Sequence, residues 1–208
     1  MEDILDTYCL PYDENIPLIC MDEKPYQLLG EIMEPLPMTK GRQKRIDYEY
    51  KRNGTCSIFV FTEPLACWRK TSVREQRTKK DWADEIHELL TVQYPDKPKI
   101  RLVLDNLNTH TIGSLYEAYP AEEASKLAKR LEIHYTPIHG SWLNIAEIEL
   151  SVMERQCLKR RLSDIKALRT ELEAWHIARN ENQKSVDWQF TTNDARIKLK
   201  RLYPIVNV

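Results

Sequence analysis

Long apolar runs are missing from this chain. Nowhere in its 208 residues is there an apolar stretch approaching the roughly 18 needed for a membrane-crossing helix, so a membrane partner is not expected. The opening Met1-Glu-Asp-Ile-Leu-Asp6 is acidic and has neither the basic start nor the apolar centre of a secretory signal, which sets the expectation of a cytoplasmic protein. Paired cysteines are missing too. The five Cys, at 9, 20, 56, 67 and 157, are odd in number and far apart, which excludes a close-spaced zinc site and points to reduced thiols. No internal repeat or low-complexity tract occurs, and a net charge of −1 leaves no global excess of either sign. With 42% hydrophobic and 30% charged residues, the chain has the composition of one globular domain with small appendages.

What is present is unevenly spread. Residues 1–34 carry nine acids and one Lys, whereas residues 36–53 carry six Lys/Arg against two acids. Residues 69–80 and 155–170 each carry six against one. Each basic run alone also suits a solvated face; together, after folding, they are expected to offer phosphates one surface.

The pattern of elements predicts an α/β fold with a mixed sheet. A helix is expected over 1–9 and a first strand over 17–22, followed by a long basic loop over 23–45. Residues 46–52 and 55–62 alternate as strands around Asn53-Gly54, a strong hairpin-turn signal, and 67–73 is another strand. A helix follows over 78–94, then a central strand over 99–104. Two short helices are predicted over 111–119 and 121–130, split by Pro120, then a last strand over 132–135. Helices are expected from Ser141 to about 160, from an N-cap at Ser163 to about 184, and from 191 to 202. Residues 1–15 read as helix and linker, 16–160 as the α/β unit that carries the sheet and 161–208 as a helical extension of it.

Three acids stand out. Asp22 ends the apolar run Ile16-Pro-Leu-Ile-Cys-Met-Asp22, and Asp105 ends Leu102-Val-Leu-Asp105. Both are expected at carboxyl ends of strands, where open sheets of this kind bind ligands. Glu147 lies in Gly140-Ser-Trp-Leu-Asn-Ile-Ala-Glu147, beside a helical stripe of Leu143, Ala146, Leu150, Met153 and Cys157. Glu154 is a rival on the same face, while Glu149 points elsewhere. Three carboxylates at one point require a cation, and divalent ions held by carboxylates mostly serve phosphoryl chemistry. Asn144, one turn before Glu147, and Asn106, next to Asp105, are expected to support the acids. His110, His134 and His139 gather near the second acid, but hard oxygen ligands suit magnesium better than imidazole, so His139 is read as a loop residue near DNA. Trp142 is a candidate for stacking on a base, and the Gly41 loop, with Lys40, Arg42, Lys44 and Arg45, for a flexible phosphate clamp.

These boxes, Met-Asp22-Glu-Lys-Pro, Leu-Val-Leu-Asp105-Asn-Leu-Asn-Thr-His and Tyr135-Thr-Pro-Ile-His-Gly-Ser-Trp-Leu-Asn144-Ile-Ala-Glu147, resemble the catalytic domain of DDE transposases. The likeness is to the bacterial insertion-sequence branch of the mariner superfamily. The resemblance implies a ribonuclease H-like fold: a mixed five-stranded sheet flanked by helices, with extra C-terminal helices. It implies that Asp22, Asp105 and Glu147 bind two Mg²⁺ or Mn²⁺ ions for DNA cleavage and strand transfer. It further implies double-stranded DNA, transposon ends and target, as substrate, and a homodimer on that DNA, in the bacterial cytoplasm at the nucleoid. The separation of 42 positions from Asp105 to Glu147 exceeds the spacing of the animal mariner relatives, and the two short helices account for the excess. Family members usually carry helix-turn-helix modules before the first Asp. Only 21 residues precede it here, so the chain is expected to be a catalytic half. A catalytically silent regulatory fragment and a nuclease of RNA–DNA hybrids are the competing readings.

Overall fold

The computed structural model describes residues 1–43, 45, 47–183 and 185–203. Five strands form one mixed sheet: β1 (Leu18–Glu31), β2 (Tyr50–Glu63), β3 (Trp68–Arg74), β4 (Ile100–Leu104) and β5 (Leu131–Tyr135). Their order is β3-β2-β1-β4-β5. The meander β1–β2–β3 is antiparallel, and β4 and β5 add to β1 in parallel.

Strand alternation sorts side chains onto two faces. Ile19 and Met21, Phe59 and Phe61, and Leu102 and Leu104 meet Trp82, Ile86 and Leu90 of α2 (Lys79–Glu88) and its π-helical continuation (Leu89–Gln93). Leu115 of α3 (Ile112–Ala118) and Leu127 of α4 (Ala121–Lys129) close that layer. The opposite face carries Ile58, Val60 and Val73 against α5 (Ala146–Gln156) and α6 (Ile165–Glu181). On the same face Cys20 and Val103 meet Ile4 and Leu5 of α1 (Glu2–Tyr8) and Ala195 of α7 (Thr192–Lys198).

The structure departs from sequence expectation at four places. First, β1 does not stop at Asp22 but runs on to Glu31, pairing with β2 as far as Tyr50. Pro25 is tolerated there because past Cys20 the side of β1 that faced β4 is unpaired. Second, Asn53-Gly54 is no hairpin turn. Gln27 lies opposite Thr55 and Leu29 opposite Arg52, so Asn53 and Gly54 together face Leu28. That is a β-bulge, and Gly54 takes the left-handed φ of +99° that it requires. The six strand-like stretches therefore make five strands. Third, the predicted helix from Ser141 is a 3₁₀ turn (Ser141–Leu143), an extended residue Asn144, and only then α5. Fourth, Asp164 rather than Ser163 caps α6, its Oδ1 accepting from the Ala167 amide at 2.8 Å.

The Gly41 loop is likewise a small hairpin, held by backbone bonds between Leu36 and Arg45 and between Thr39 and Arg42, with Gly41 at φ +80°. Its Lys44 lies outside the described residues.

Candidate active site

The register of two parallel strands brings the first two acids together. Cys20 of β1 lies beside Val103 of β4. Two residues further on each chain stand Asp22 and Asp105, on the same face as Cys20 and Val103. Asp22 is thus in mid-strand, opposite Val60 of β2, but it sits where parallel pairing ends, so space opens on that side. Asp105 lies just past β4, as expected of a strand end.

Asp22 is only 7% exposed, and its Oδ1 accepts from the Glu23 amide at 2.7 Å. Asp105 Oδ1 accepts from the buried Thr136 hydroxyl at 2.8 Å. Thr136 follows β5 directly, and its amide donates to the Leu104 carbonyl at 3.0 Å, so the next parallel strand fixes the rotamer of Asp105.

The third acid is delivered by the segment before α5. The buried Asn144 donates from Nδ2 to the Met21 carbonyl at 2.8 Å, and its Oδ1 accepts from the Ala146 amide at 3.1 Å. This tacks the start of α5 onto β1 one residue before Asp22. Tyr8 of α1 holds the segment from behind: its hydroxyl donates to the Leu143 carbonyl at 2.7 Å and accepts from the Ile145 amide at 3.3 Å. Glu147 follows in the first turn of α5, exposed at the mouth of the site rather than tucked against the sheet.

The electrostatics register this convergence. Burial pushes the Asp22 carboxyl up to about 7, and the Asp105 carboxylate adds the next largest share. Glu147 and Glu23 push the same way, against the hydrogen bond from the Glu23 amide. Among the described residues no three His, Cys, Asp or Glu side chains are close enough together to hold a metal ion. The donors nevertheless fit one: carboxylate oxygens are what Mg²⁺ and Mn²⁺ prefer, and an Asp made hard to ionise by burial and by neighbouring carboxylates is relieved by a cation.

The rival acids have other tasks. Glu154 is exposed and pairs with Lys24 at 2.9 Å. Glu149 is fully buried between Arg69 of β3, at 3.1 Å, and Arg179 of α6, at 2.9 Å. It points away from the acids, and this ionic lock fixes the roll of α5.

The remaining candidates are dispersed. Asn106 is exposed on the loop after β4. His110 is buried, stacked on Trp82, with Nδ1 3.2 Å from the Asp105 carbonyl and Nε2 3.5 Å from Glu23 beneath the sheet. His134 pairs with Asp3 and Glu132. His139 is exposed in a tight turn at φ +61°. Trp142 is 44% exposed and meets Phe190 edge-on at 6.1 Å. Lys40, Arg42 and Arg45 lie in the exposed hairpin between β1 and β2. The basic run 69–80 does not form a free phosphate surface: Arg69, Lys70, Arg74, Arg77 and Lys79 all pair with acids. Sequence reasoning missed Thr136, Tyr8 and the burial of Glu149. Thr136 lay inside the quoted Tyr135-Thr-Pro box, whereas nothing local marks Tyr8.

A ribonuclease H-like fold is the class that this mixed sheet and its flanking helices define. The same fold occurs in the crystal structure of the catalytic domain of Mos1 mariner transposase, with a TM-score of 0.55 and 12% identity over 86% of this chain and 80% of that one. The Mos1 mariner paired end complex with Mn gives 0.57 at 13% identity, over 88% of this chain and 56% of that one. The Mos1 strand transfer complex gives 0.57 at 12%, again over 88% and 56%. The chain therefore spans little more than half the length of the transposase chains in those two complexes. A search of curated proteins finds no match. The DDE superfamily endonuclease profile matches residues 17–169, and the chain belongs to that family.

Proposed function

We propose that this chain is the catalytic domain of a DNA transposase of the bacterial insertion-sequence branch, with Asp22, Asp105 and Glu147 as its metal-holding acids. The observation that carries the reading is that Asp22 and Asp105 stand side by side just beyond the last pair of two adjacent parallel strands, with Glu147 near enough to raise Asp22. Family membership and the Mos1 likeness support it, those neighbours being complexes with a transposon end and a strand-transfer state. Residues 16–160 carry the chemistry and 161–208 extend the same unit. Transposon ends and target DNA are the substrates, a homodimer on DNA the working form, and the bacterial nucleoid the place.

The reaction is hydrolysis of a phosphodiester, followed by in-line attack of the freed 3′-OH on target DNA, with no covalent protein intermediate. Asp22, Asp105 and Glu147 would hold two Mg²⁺ or Mn²⁺ ions, which supply a lowered water pKa and charge stabilisation at the leaving 3′ oxygen. Thr136 keeps Asp105 aimed into the site, and Asn144 sets the height of Glu147 over Asp22. Glu149, clamped by two arginines, prevents α5 from rolling Glu147 away.

The test is Mn²⁺-dependent nicking of supercoiled plasmid, alongside Mn²⁺ calorimetry. Asp22→Asn, Asp105→Asn and Glu147→Gln should each reduce nicking to background while the chain stays folded, and Glu154→Gln should nick normally. Normal nicking by Glu147→Gln with loss in Glu154→Gln would reassign the third acid. The competing reading is a catalytically silent, DNA-binding regulatory protein. Absence of both Mn²⁺ binding and nicking in the wild type would put that reading first.

A further inference from the structure

A groove of about 500 Å³ runs from the candidate active site along the outer face of α5, lined by Ser141, Trp142, Glu147, Ile148, Ser151 and Arg155. Its chemistry changes along its length. Glu147 stands at one end. Trp142 and Ile148, 44% and 41% exposed, give it an apolar wall. Ser151 and Arg155 continue the face one and two turns further, and Arg155 makes no ion pair or hydrogen bond among the described residues. At 1.5 Å per residue Arg155 lies about 12 Å down the helix from Glu147. The Trp142 ring is steadied edge-on by Phe190 at 6.1 Å and 68°, so it is a held platform with a large open surface.

An aromatic platform, an aliphatic wall and an unpaired cation in line are what an unpaired nucleotide strand requires. A duplex keeps its base faces inside the stack and presents hydrated phosphates, which gain nothing from Trp142 and Ile148. Resting on the proposed function for the end at Glu147, we propose that the groove binds single-stranded DNA flanking the cleaved phosphodiester. A base stacks on Trp142 against Ile148, and a phosphate further along meets Arg155. The substrate of this domain is then a locally melted end rather than intact duplex, and Trp142 determines how the strand beside the cut is held.

The test uses the full chain in EDTA, so that binding is read apart from cutting. A short single-stranded oligodeoxynucleotide carrying 2-aminopurine is titrated against its own duplex. The single strand should bind more tightly, with its fluorescence quenched on binding. Trp142→Ala should weaken it on the order of 10-fold and abolish the quench, while Trp142→Phe keeps most of both. Arg155→Ala should lower the slope of log affinity against log salt by about 0.7. Lys126→Ala, on α4 across the sheet, should change neither. If Trp142→Ala fails to fold, the Phe variant and the Arg155 salt slope decide. Duplex bound as tightly as single strand, or no change in both Trp142→Ala and Arg155→Ala, would overturn the proposal. A chain that binds single strands in this way but never nicks DNA would sink the catalytic reading and leave this one standing.

Discussion

Asp22 is the residue at which structure and chemistry conflict most. A carboxyl whose folded pKa lies above its unfolded value stabilises the fold only while it is protonated. With 3.8 as the ordinary value and about 7 in the fold, that contribution is complete below about pH 4 and is lost as pH rises through 7. The metal-free wild type should therefore lose stability between pH 4 and 7, by up to roughly 4 kcal/mol from this group. Asp22→Asn should flatten that profile and be the more stable protein at pH 8, as urea denaturation across the range would show. Glu149 behaves in the opposite way: Glu149→Gln takes the shared carboxylate from two guanidiniums and should cost about 3–5 kcal/mol, read as a fall in the urea midpoint. A lesser loss follows for Tyr8→Phe, which strips the buried Leu143 carbonyl of its donor at about 1–3 kcal/mol. Asp105 was legible from sequence because an apolar run ends on it. Glu147 was legible through the stripe it borders, although the structure leaves it exposed. Glu149 and Tyr8 were not legible, because their partners lie 80 and 30 residues away in the first case, and 135 in the second.

At the level of elements, local signals were overruled wherever a long-range partner existed. Asn53-Gly54 favours a turn on its own, but eleven paired positions between β1 and β2 carry the strand through it and fold the excess residue into a bulge. Glu23-Lys-Pro25 reads as a loop by composition, yet β2 supplies it with a neighbour. By contrast the helix expected from 191 starts where its sequence says, with Thr191 and Asp194 forming a capping box that needs no distant partner. Two glycine substitutions separate these cases. Gly54→Ala forces a side chain into φ +99° and should destabilise by about 1 kcal/mol or more. Gly113→Ala, inside α3 with its nearest neighbour at an ordinary 3.5 Å, should stabilise by about 0.5–1 kcal/mol. Paired thermal melts of the two variants would show opposite shifts.

For the whole molecule, the fold class followed from the alternation of strands and helices, and the boxes around Asp22, Asp105 and Glu147 pointed to the family that the chain belongs to. What sequence could not convey is which cations remain available, since five in the run 69–80 are spent on internal acids. If the chain binds DNA as proposed, this run should add few contacts to the salt dependence. The slope of log affinity against log salt should stay well below the count of Lys and Arg in that run, which a titration series from low to moderate salt would check.

The segment between the 3₁₀ turn and α5 is gripped by Asn144 on one side and by Tyr8 on the other. Tyr8 also packs on Trp188, far along the chain. During translation Tyr8 leaves the ribosome first, the two aspartates and Asn144 follow, and only the Trp188 ring that backs Tyr8 comes near the end. A polypeptide unfinished at residue 187 therefore has its three acids and both grips on the segment, but not the ring packed behind one of them.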